Sequence, residues 1–444
     1  MTSRRGQPTE AYVWVWLPDA TEPVVAGRIA QAGDRFVFNY GTSYLRRDDA
    51  IPIYLPELPL RRGLIEPQPG LTMPSSLRDG SPDAWGRRVI INRLVSGQGA
   101  QDDTDHCNEL AYLLESGSDR IGALDFQQSA TEYVPRVAGE AAYEELLDAA
   151  ERVEKGLPLT PALDQVLNHG TSIGGARPKA LIDRGNRKMV AKLSSSTDLY
   201  NVVKAEFMAM RLAASCGLNV APVQLIHAAG KDVLLIERFD RVKAASGWRR
   251  RAMVSALTML GLDEMMARYA SYEDLADTIR HRFTDPRGTL RELFGRICFN
   301  ILCGNTDDHA RNHAAFWDGA MLTLTPAYDI CPQTRTGNEV TQAMLIKGEN
   351  RMSTLRSCLD AAANFHLDED TARDIVTNQI TTIAHHWNAT ADEAAMTPTD
   401  RRLLAGRQFL NPFCAEGLGA AHNMIANTFD QALRALTNDG PSSH

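Results

Sequence analysis

The sequence lacks the features that mark secreted, disulfide-bonded or membrane-spanning proteins. Its 444 residues include 7 cysteines, an odd number, and no Cys-x-x-Cys pair. This usage is typical of reduced thiols and argues against a disulfide framework or a zinc site. No run of about 18 apolar residues occurs, so we expect no membrane-spanning helix. The amino terminus, MTSRRGQPTE, has no apolar stretch behind its basic pair. We therefore expect no signal peptide and a soluble, cytoplasmic protein.

An excess of positive charge is also missing. The net charge is −8, with 47 lysines and arginines against 55 aspartates and glutamates. Because gripping a nucleic-acid backbone needs a basic surface, we expect that this chain does not bind nucleic acid by itself. The segment RVKAASGWRRR at 241–251 is the best candidate for a local basic patch, and a solvated loop is the alternative for it.

What is present is an ordinary globular composition, 44% hydrophobic and 23% charged, over a length that allows two or three domains. The segments AYVWVWL and RFVFNY predict strands near the amino terminus. An amphipathic helix is predicted over 141–156, a hairpin around Asn186, and a buried strand in DVLLIERFD. Beyond about residue 250 the pattern is mainly helical. We place domain boundaries to give three segments, 10–125, 126–240 and 241–444.

The segment HGTSIGGARPKALI at 169–182 predicts a glycine-rich turn followed by a lysine. Gly174 and Gly175 allow backbone N–H groups to approach a ligand closely, and such a turn can hold phosphate oxygens. Lys179 follows shortly after. The Walker A pattern is absent, and a plain hairpin turn is the alternative interpretation.

Lys192 interrupts the apolar strand MVAKLS, so its ammonium must leave the core or meet an anion. Glu206 stands in the helical segment NVVKAEFMAMRLAASCG, at the margin of its apolar face. A strand lysine paired with a helical glutamate is how kinases hold nucleotide phosphates. A surface ion pair is the alternative.

The polar segment GNTDDHARN at 304–312 lies between the apolar runs ICFNILC and AAF. Asp307 and Asn312 have the spacing at which protein kinases place a catalytic aspartate and a metal-binding asparagine. A further carboxylate, Asp329, follows a strand-like segment. Mg²⁺ prefers such hard oxygen ligands and takes only a few of them from protein.

For three other residues of this segment, the sequence allows two interpretations each. Asp308 is a second candidate for the base or a loop cap. His309 is a zinc ligand or, more commonly for such a residue, a brace that hydrogen-bonds the loop. Arg311 holds a phosphate or pairs with a carboxylate.

Five motifs together resemble those of HipA-type serine/threonine kinases, the toxin half of bacterial toxin–antitoxin modules: SIGGARPKA, VAKL, LLIERFDR, NTDDHARN and TPAYDI. The segments FVFNYGTSYL, PIYLPELPL and LRDGSPDAWGRR resemble the amino-terminal region of that family, so the likeness covers about 12–420. The resemblance implies an α+β, bilobal protein-kinase-like fold. In it, 10–125 is an added β-rich subdomain, 126–240 the nucleotide-binding lobe, and 241–444 a mainly α-helical lobe with the catalytic and metal-binding loops.

The resemblance also implies ATP and Mg²⁺ as cofactors and gives roles to residues. Asp307 matches the catalytic base, and Asn312 and Asp329 match the metal-binding positions. Ser172 matches a position of autophosphorylation, for which a hydrogen bond inside the turn is the alternative. The ATP-binding residues expected on this basis are Gly174, Gly175, Ala176, Arg177, Pro178, Lys179, Lys192, Glu237, Arg238, Phe239, His309 and Asn312.

Members of this family are similar to toxins that arrest translation by phosphorylating a serine of an aminoacyl-tRNA synthetase, notably the glutamyl enzyme, and so favour persistence. A small helix-turn-helix antitoxin that binds operator DNA neutralises them, so contact with DNA is expected to be indirect. Asp308 departs from the family, which often has glycine there. A small-molecule phosphotransferase and a non-catalytic co-repressor are the alternative functions.

Overall fold

The computed structural model describes residues 7–96, 107–136, 143–155, 157, 159–160, 163, 175, 177–194, 198, 200–335, 337 and 339–437. Three predicted site residues, Ser172, Gly174 and Ala176, lie outside these residues. The chain divides into two compact units. Unit 1 consists of Met1–Thr197, Ile226–Val254 and Phe316–Ala320, and unit 2 of Asp198–Leu225, Ser255–Ala315 and Met321–His444. The predicted division into 10–125, 126–240 and 241–444 stays a prediction.

Unit 1 begins with an antiparallel sheet. Its strands are β1 (Glu10–Val15), β2 (Val24–Ala32), β3 (Arg35–Tyr40) and β4 (Leu124–Gln127), in the order β3-β2-β1-β4. The strands predicted in AYVWVWL and RFVFNY are thereby confirmed. One face of the sheet buries apolar side chains, including Val13, Ile29 and Phe38, each fully covered. The short helices α1 (Thr42–Leu45), α2 (Ser75–Arg78) and α4 (Glu109–Glu115) accompany this sheet.

A second sheet of unit 1 carries the predicted hairpin. The strands β5 (Lys179–Asp183) and β6 (Lys188–Leu193) pair antiparallel, and β6 pairs with β8 (Lys231–Glu237). The sheet order is β5-β6-β8-β7, where β7 is Val223–Ala228. The helices α3 (Ala84–Ser96) and α5 (Tyr143–Glu154) share one apolar core with the buried face of this sheet. The helix predicted over 141–156 and the hairpin around Asn186 are confirmed.

The basic segment at 241–251 forms a hairpin of β9 (Arg241–Ala244) and β10 (Gly247–Arg250). Arg241 is buried, and Arg250 lies over the ring of Trp16 at 3.4 Å and donates to the Ser118 carbonyl at 2.8 Å. These two arginines therefore pack within unit 1 and do not form an exposed cationic patch.

Unit 2 is mainly helical, as the sequence predicts. Its helices are α6 (Val202–Ser215), α7 (Ala256–Met259), α8 (Tyr272–Arg282), α9 (Pro286–Cys303), α10 (Leu355–Ala361), α11 (Glu369–Glu393), α12 (Pro398–Leu404) and α13 (Asn423–Thr437). Short 3₁₀ turns occur at Ala267–Tyr269, Ala310–Asn312, Ala362–Phe365, Pro412–Ala415 and Ala420–His422. The remaining strands are β11 (Met253–Ser255), β12 (Ala314–Trp317) and β13 (Leu322–Leu324).

Side-chain caps set the starts of these helices. Ser271 accepts from the backbone N–H groups of Glu273 and Asp274 at the start of α8. Asp285 accepts from Gly288 N–H before Pro286 opens α9, and such caps satisfy donors that have no partner inside the helix. The second half of α9 is buried on all sides, which makes it the central element of unit 2. Among the described residues, no helix is both long enough and apolar enough to cross a membrane.

Candidate functional site

The polar segment of unit 2 starts where the buried helix α9 stops. Gly304 adopts φ 73°, ψ 24°, and its N–H donates to Ile301 O while Asn305 N–H donates to Asn300 O. This pair of bonds is the Schellman end of a helix, which favours glycine. A Cβ at Gly304 would lie 2.8 Å from Gln408 O, so close packing also requires glycine here. The apolar helix thus ends sharply and delivers the polar residues at its carboxyl end.

Backbone hydrogen bonds hold the following loop in one conformation. Asn312 N–H donates to His309 O at 2.8 Å, and the Asn312 side-chain N–H donates to Asp307 O at 3.1 Å. The loop is also joined to other segments of unit 2, because Ala343 N–H donates to Thr306 O at 3.1 Å. Since the amide nitrogen of Asn312 is used in this way, its amide oxygen is the end suited to act as a hard metal ligand.

Asp307 and Asp329 lie close enough to influence each other's ionisation. The Asp307 carboxylate is exposed at the surface, yet partial desolvation and the negative charges of Asp329 and Asp308 raise its pKa above the ordinary value, against the opposing effect of His309. Two carboxylates that repel each other in this way attract either a proton or a cation. Carboxylate and amide oxygens are ligands that Mg²⁺ prefers, and the metal-binding role of Asn312 and Asp329 stays a prediction.

The segment that carries Asp329 is fixed on both sides. Ala221 N–H donates to Ala327 O at 2.9 Å, and Ala327 N–H donates to Asn219 O at 2.7 Å. Next to Asp329, the Tyr328 hydroxyl donates to Arg311 O at 2.7 Å, which ties this segment to the 304–312 loop. Asp329 itself has φ 59°, a left-handed conformation that aspartate tolerates better than most residues.

Asp308 points the other way, into the core of unit 2. Its carboxylate is 3% exposed, accepts a hydrogen bond from the Tyr272 hydroxyl, and lies 3.0 Å from His313 Nε2. Burial raises its pKa, but the charge and hydrogen bond of His313 and the Tyr272 hydroxyl outweigh burial, so the pKa lies below its ordinary value. Asp308 is therefore a buried anchor of the loop, held by two side chains and not by the backbone N–H of a loop cap, and its burial disfavours a role as the base.

Two further neighbours have identified partners. Arg311 pairs with Glu264 through a 2.8 Å contact, as the carboxylate interpretation predicted. His309 contacts the loop backbone, with its N–H donating to Asp307 O at 2.8 Å and its carbonyl accepting from Asn312. Within the described ranges, no group of three or more histidine, cysteine or acidic side chains is arranged to hold a metal ion. The zinc-ligand and loop-brace interpretations of His309 both stay predictions.

Unit 1 places two predicted lysines side by side. Lys179 and Lys192 are direct partners across the β5–β6 ladder and so project from the same face, with exposures of 3% and 8%. Gly175 has φ 109°, and a Cβ on it would lie 2.2 Å from Lys179 Nζ. Asp83 accepts from Gly175 N–H at 2.7 Å. The glycine position therefore lets the lysine ammonium approach the turn. Lys179, Lys192 and the nearby Asp83 form what we call the two-lysine corner of unit 1.

The segment ERFDR at 237–241 leaves β8 and enters a buried ion network. Arg238 donates to both carboxylate oxygens of Asp240, at 2.9 and 2.8 Å, and Nη1 lies 3.1 Å from Asp119. Arg241 donates to Asp119 Oδ1 and to Asp240 Oδ2, each at 2.9 Å. The Arg238 side chain is 1% exposed and committed to these carboxylates. Any contact of Arg238 with adenine is therefore restricted to its backbone.

The other two predicted ATP-binding residues of this segment, Glu237 and Phe239, flank this network. Glu237 is paired with Met189 across β6–β8, and its carboxylate accepts from Arg187 at 3.2 Å. Phe239 makes an edge contact with Phe316, with 5.9 Å between the ring centroids. Their ATP-binding role stays a prediction.

Two family models match this chain. The HipA-like C-terminal domain matches residues 171–387, and the HipA N-terminal domain matches residues 15–127. Together the two segments cover most of the sequence. The chain belongs to the HipA family.

Curated relatives of this HipA-family chain are named as kinases. The putative kinase Y4mE of Sinorhizobium fredii is 26% identical over 334 residues, which are 69% of this chain and 76% of that protein. The serine/threonine-protein kinase toxin HipA of Shewanella oneidensis is 28% identical over 183 residues, which are 36% of this chain and 42% of that protein.

A solved structure supports the fold of the HipA-family chain. A chain of the Shewanella oneidensis toxin–antitoxin complex of HipA, HipB and operator DNA matches with a TM-score of 0.64 and 18% identity, covering 96% of this chain and 97% of that chain. At this identity the likeness concerns the fold alone. The predicted fold class, an α+β kinase-like fold with an added amino-terminal β-rich subdomain and a mainly α-helical carboxyl-terminal part, is confirmed.

The predicted site residues of the HipA-family chain fall into two groups. Unit 2 brings together Asp307, His309, Asn312 and Asp329, and unit 1 brings Gly175 close to Lys179 and Lys192. Arg177 and Pro178 lie in the same turn, where Pro178 O accepts from Leu193 N–H at 3.0 Å. Glu206 is 2% exposed on α6 of unit 2, and its predicted pairing with Lys192 of unit 1 stays a prediction.

The sequence analysis missed Tyr272 and His313, which hold Asp308. Tyr272 lies 36 positions before Asp308 in the sequence, and no local pattern connects the two. His313 directly follows Asn312 and precedes the buried strand β12, so the only available signal was a polar residue at the edge of an apolar run. The hydrogen bonds of Tyr272 and His313 to Asp308 depend on tertiary contacts, which the sequence does not reveal.

Proposed function

We propose that this chain is an ATP- and Mg²⁺-dependent serine/threonine-protein kinase that acts as a toxin. The observation that carries the proposal is the Asp307–Asn312–Asp329 arrangement, in which the carboxylates of Asp307 and Asp329 lie close enough to interact and the Asn312 side-chain N–H donates to the Asp307 carbonyl. A raised pKa suits a residue that accepts a proton from an attacking hydroxyl. The family and the relatives named as kinases support the same reaction class.

The roles follow from the chemistry of phosphoryl transfer. Asp307 orients the serine hydroxyl and accepts its proton as the serine oxygen bonds to the γ-phosphorus and the bond to the β–γ bridging oxygen breaks. Asn312 and Asp329 would hold Mg²⁺, which would offset the charge of the phosphates. Lys179 and Lys192 supply positive charge for phosphate oxygens beside the predicted glycine-rich turn. Glu237, Arg238 and Phe239 supply the adenine contact, and His309 assists at the nucleotide.

The biological role is proposed from the family. The substrate is a protein serine, with an aminoacyl-tRNA synthetase, notably the glutamyl enzyme, as the first protein to test. A small helix-turn-helix antitoxin is the neutralising partner, and the net charge of −8 supports a DNA contact made through that partner. Translational arrest in the cytoplasm would favour persistence. Autophosphorylation at Ser172 would place a doubly negative group where the ATP phosphates bind and so switch the kinase off.

The test is transfer from labelled ATP to proteins and metabolites of a cell lysate. We expect Asp307→Asn to abolish labelling while Mg-ATP still raises the melting temperature. Asp370→Asn is the matched control, because that side chain is 91% exposed on α11, and it should label as the wild type does. Full activity of Asp307→Asn would overturn the assignment. Labelled metabolites without labelled proteins would favour a small-molecule phosphotransferase, and no stabilisation by Mg-ATP would favour a non-catalytic co-repressor.

A further inference from the structure

A large cavity lies in the helical part of unit 2, apart from the residues assigned to phosphoryl transfer. Its volume is about 850 Å³, and its wall includes Arg335, Arg407, Gln408 and Glu416 together with apolar groups of Leu403 and Pro412. This volume is in the range of sites for small organic ligands, about 300–1,000 Å³. The wall combines apolar surface with a few polar groups, which is also typical of ligand sites.

Arg335 is the unusual residue of this cavity. All three of its guanidinium nitrogens are buried, and no oxygen of a described residue accepts from them. The neighbour of Arg335 is the Cys414 thiol: burial raises the pKa of that thiol to about 11, while the arginine charge and its hydrogen bond to the thiol lower it. A thiol is a weak acceptor, whereas a guanidinium is always charged and has five N–H donors in a planar fork.

A buried cation of this kind calls for an anion. Removing a charge from water is unfavourable unless an opposite charge and hydrogen bonds replace the water, and a neutral thiol supplies no opposite charge. Glu416 is exposed at the cavity wall and does not accept from Arg335. With Arg407 as a second cation and Glu416 as the anion, the charged groups of the wall are positive on balance. A ligand oxyanion would pair with the guanidinium in two parallel hydrogen bonds.

Gln408 adds a second requirement. It is 6% exposed, and its amide oxygen is buried without a partner among the described residues. An amide oxygen only accepts hydrogen bonds, so a ligand that pairs with it must carry a hydroxyl or N–H group. The cavity therefore offers a cationic donor and a neutral acceptor, which together fit a polar organic anion.

We propose that this cavity is a ligand site of unit 2, distinct from the proposed nucleotide site, for a small organic molecule whose oxyanion group, a phosphate monoester or a carboxylate, pairs with Arg335 and whose hydroxyl or N–H group bonds to Gln408. The proposal does not depend on the proposed kinase activity. It predicts that the full chain binds such anions with or without catalysis.

The test is calorimetric titration and thermal unfolding of the full chain with glycerol 3-phosphate, inorganic phosphate and citrate at millimolar concentration. We expect binding by glycerol 3-phosphate or citrate, and weaker binding by inorganic phosphate, which lacks the organic part. Arg335→Met should weaken binding roughly 10- to 100-fold, the effect of losing charge-assisted hydrogen bonds. Arg335→Lys keeps the charge without the fork and should bind with intermediate affinity. Glycerol 3-phosphate and citrate distinguish a phosphate from a carboxylate ligand.

Two controls separate this site from others. Arg402→Ala removes an exposed arginine of α12 that does not line the cavity, and it should bind as the wild type does. Lys192→Met changes the proposed nucleotide site and should also leave this binding intact. Equal binding by Arg335→Met, loss of binding in Lys192→Met, or no binding by any of the three anions would overturn the proposal. If Arg335→Met does not fold, the affinity of Arg335→Lys tests the proposal: weaker binding than the wild type supports it, and equal binding overturns it.

Discussion

At the residue scale, two adjacent aspartates of one loop have opposite environments. Asp307 is exposed and has a raised pKa, whereas Asp308 is 3% exposed and has a lowered pKa. The backbone turns tightly here, with His309 N–H donating to Asp307 O, and the Asp307 carboxylate faces solvent while the Asp308 carboxylate faces Tyr272 and His313. Sequence alone named both as candidates for the base, and burial separates them.

The anchoring role of Asp308 predicts a stability effect at a distance from the chemistry. Burial and the Asp308 charge raise the pKa of Tyr272 well above its usual value, so its hydroxyl remains a donor at neutral pH. Tyr272→Phe leaves the buried carboxylate without that donor and should lower the free energy of unfolding by about 1–3 kcal/mol, measured by urea denaturation. Tyr269→Phe is the control, because Tyr269 is 49% exposed, and it should change stability by less than about 0.5 kcal/mol. Equal effects of the two substitutions would contradict the anchoring role.

The electrostatic link between Asp307 and Asp329 predicts a shift that needs no catalysis to observe. Because the Asp329 charge helps to raise the Asp307 pKa, Asp329→Asn should lower the pKa of Asp307 in an NMR titration. A raised pKa means that the folded state holds this proton more tightly than the unfolded state does. The Asp307 contribution therefore weakens the fold as pH rises through that pKa, and Asp329→Asn should reduce this loss. The control is Asp374→Asn, which changes an exposed aspartate and should leave the Asp307 pKa unchanged. If Asp329→Asn also leaves the Asp307 pKa unchanged, the two carboxylates do not interact.

At the element scale, the end of α9 determines where the 304–312 loop begins. Gly304 has φ 73° and lies against the Gln408 backbone, whereas Gly348 has φ 51° and no neighbour within 4 Å of a built Cβ. Gly348→Ala should cost about 1 kcal/mol, the strain of the left-handed conformation alone. Gly304→Ala should cost about 1–3 kcal/mol more, because the added methyl group also collides with backbone. Urea denaturation measures both, and equal costs would mean that α9 and the Gln408 segment separate easily.

The register of the β5–β6 hairpin determines how the two-lysine corner of unit 1 is arranged. The register that pairs Lys179 with Lys192 places both ammonium groups on one face, where like charges repel. A shift of one residue would send one set of side chains to the opposite face and destroy this arrangement. The hairpin register is thus the structural basis of the proposed phosphate contact.

At the scale of the whole molecule, one buried ion network joins distant parts of the sequence within unit 1. Asp119 follows the first sheet's helix α4, while Arg238, Asp240 and Arg241 follow β8. Burial raises the pKa of Asp119 and of Asp240, but the charges of Arg238 and Arg241 outweigh it and lower both below their ordinary values. These carboxylates therefore stabilise the fold above the pKa of an unfolded aspartate, and this stabilisation is lost as pH falls through the lowered values.

Breaking this network should cost far more than breaking a surface pair. Asp240→Asn leaves two buried guanidinium groups with one carboxylate fewer, and we expect a loss of about 3–5 kcal/mol at neutral pH that added salt changes little. The control Asp19→Asn breaks the exposed pair with Arg249, whose aspartate is 83% exposed, and should cost at most about 1 kcal/mol. Thermal unfolding at low and high ionic strength measures both. A small, salt-dependent loss for Asp240→Asn would show that water reaches the network.

The sequence by itself determined the local elements and the chemistry available to the site. The aromatic and β-branched residues of AYVWVWL, the helical period of 141–156 and the turn at Asn186 predict structure correctly because they depend on neighbours a few residues apart. The Asp307–Asn312 spacing likewise names the candidate site, since both residues lie in one short loop.

Only the tertiary structure decided what each charged side chain does. It turned Asp308 to Tyr272, committed Arg238 to Asp240 and Asp119, and buried Arg335 in a cavity. The physical reason is that ionisation and pairing depend on burial and on partners brought together across many residues of sequence, and no local pattern encodes either.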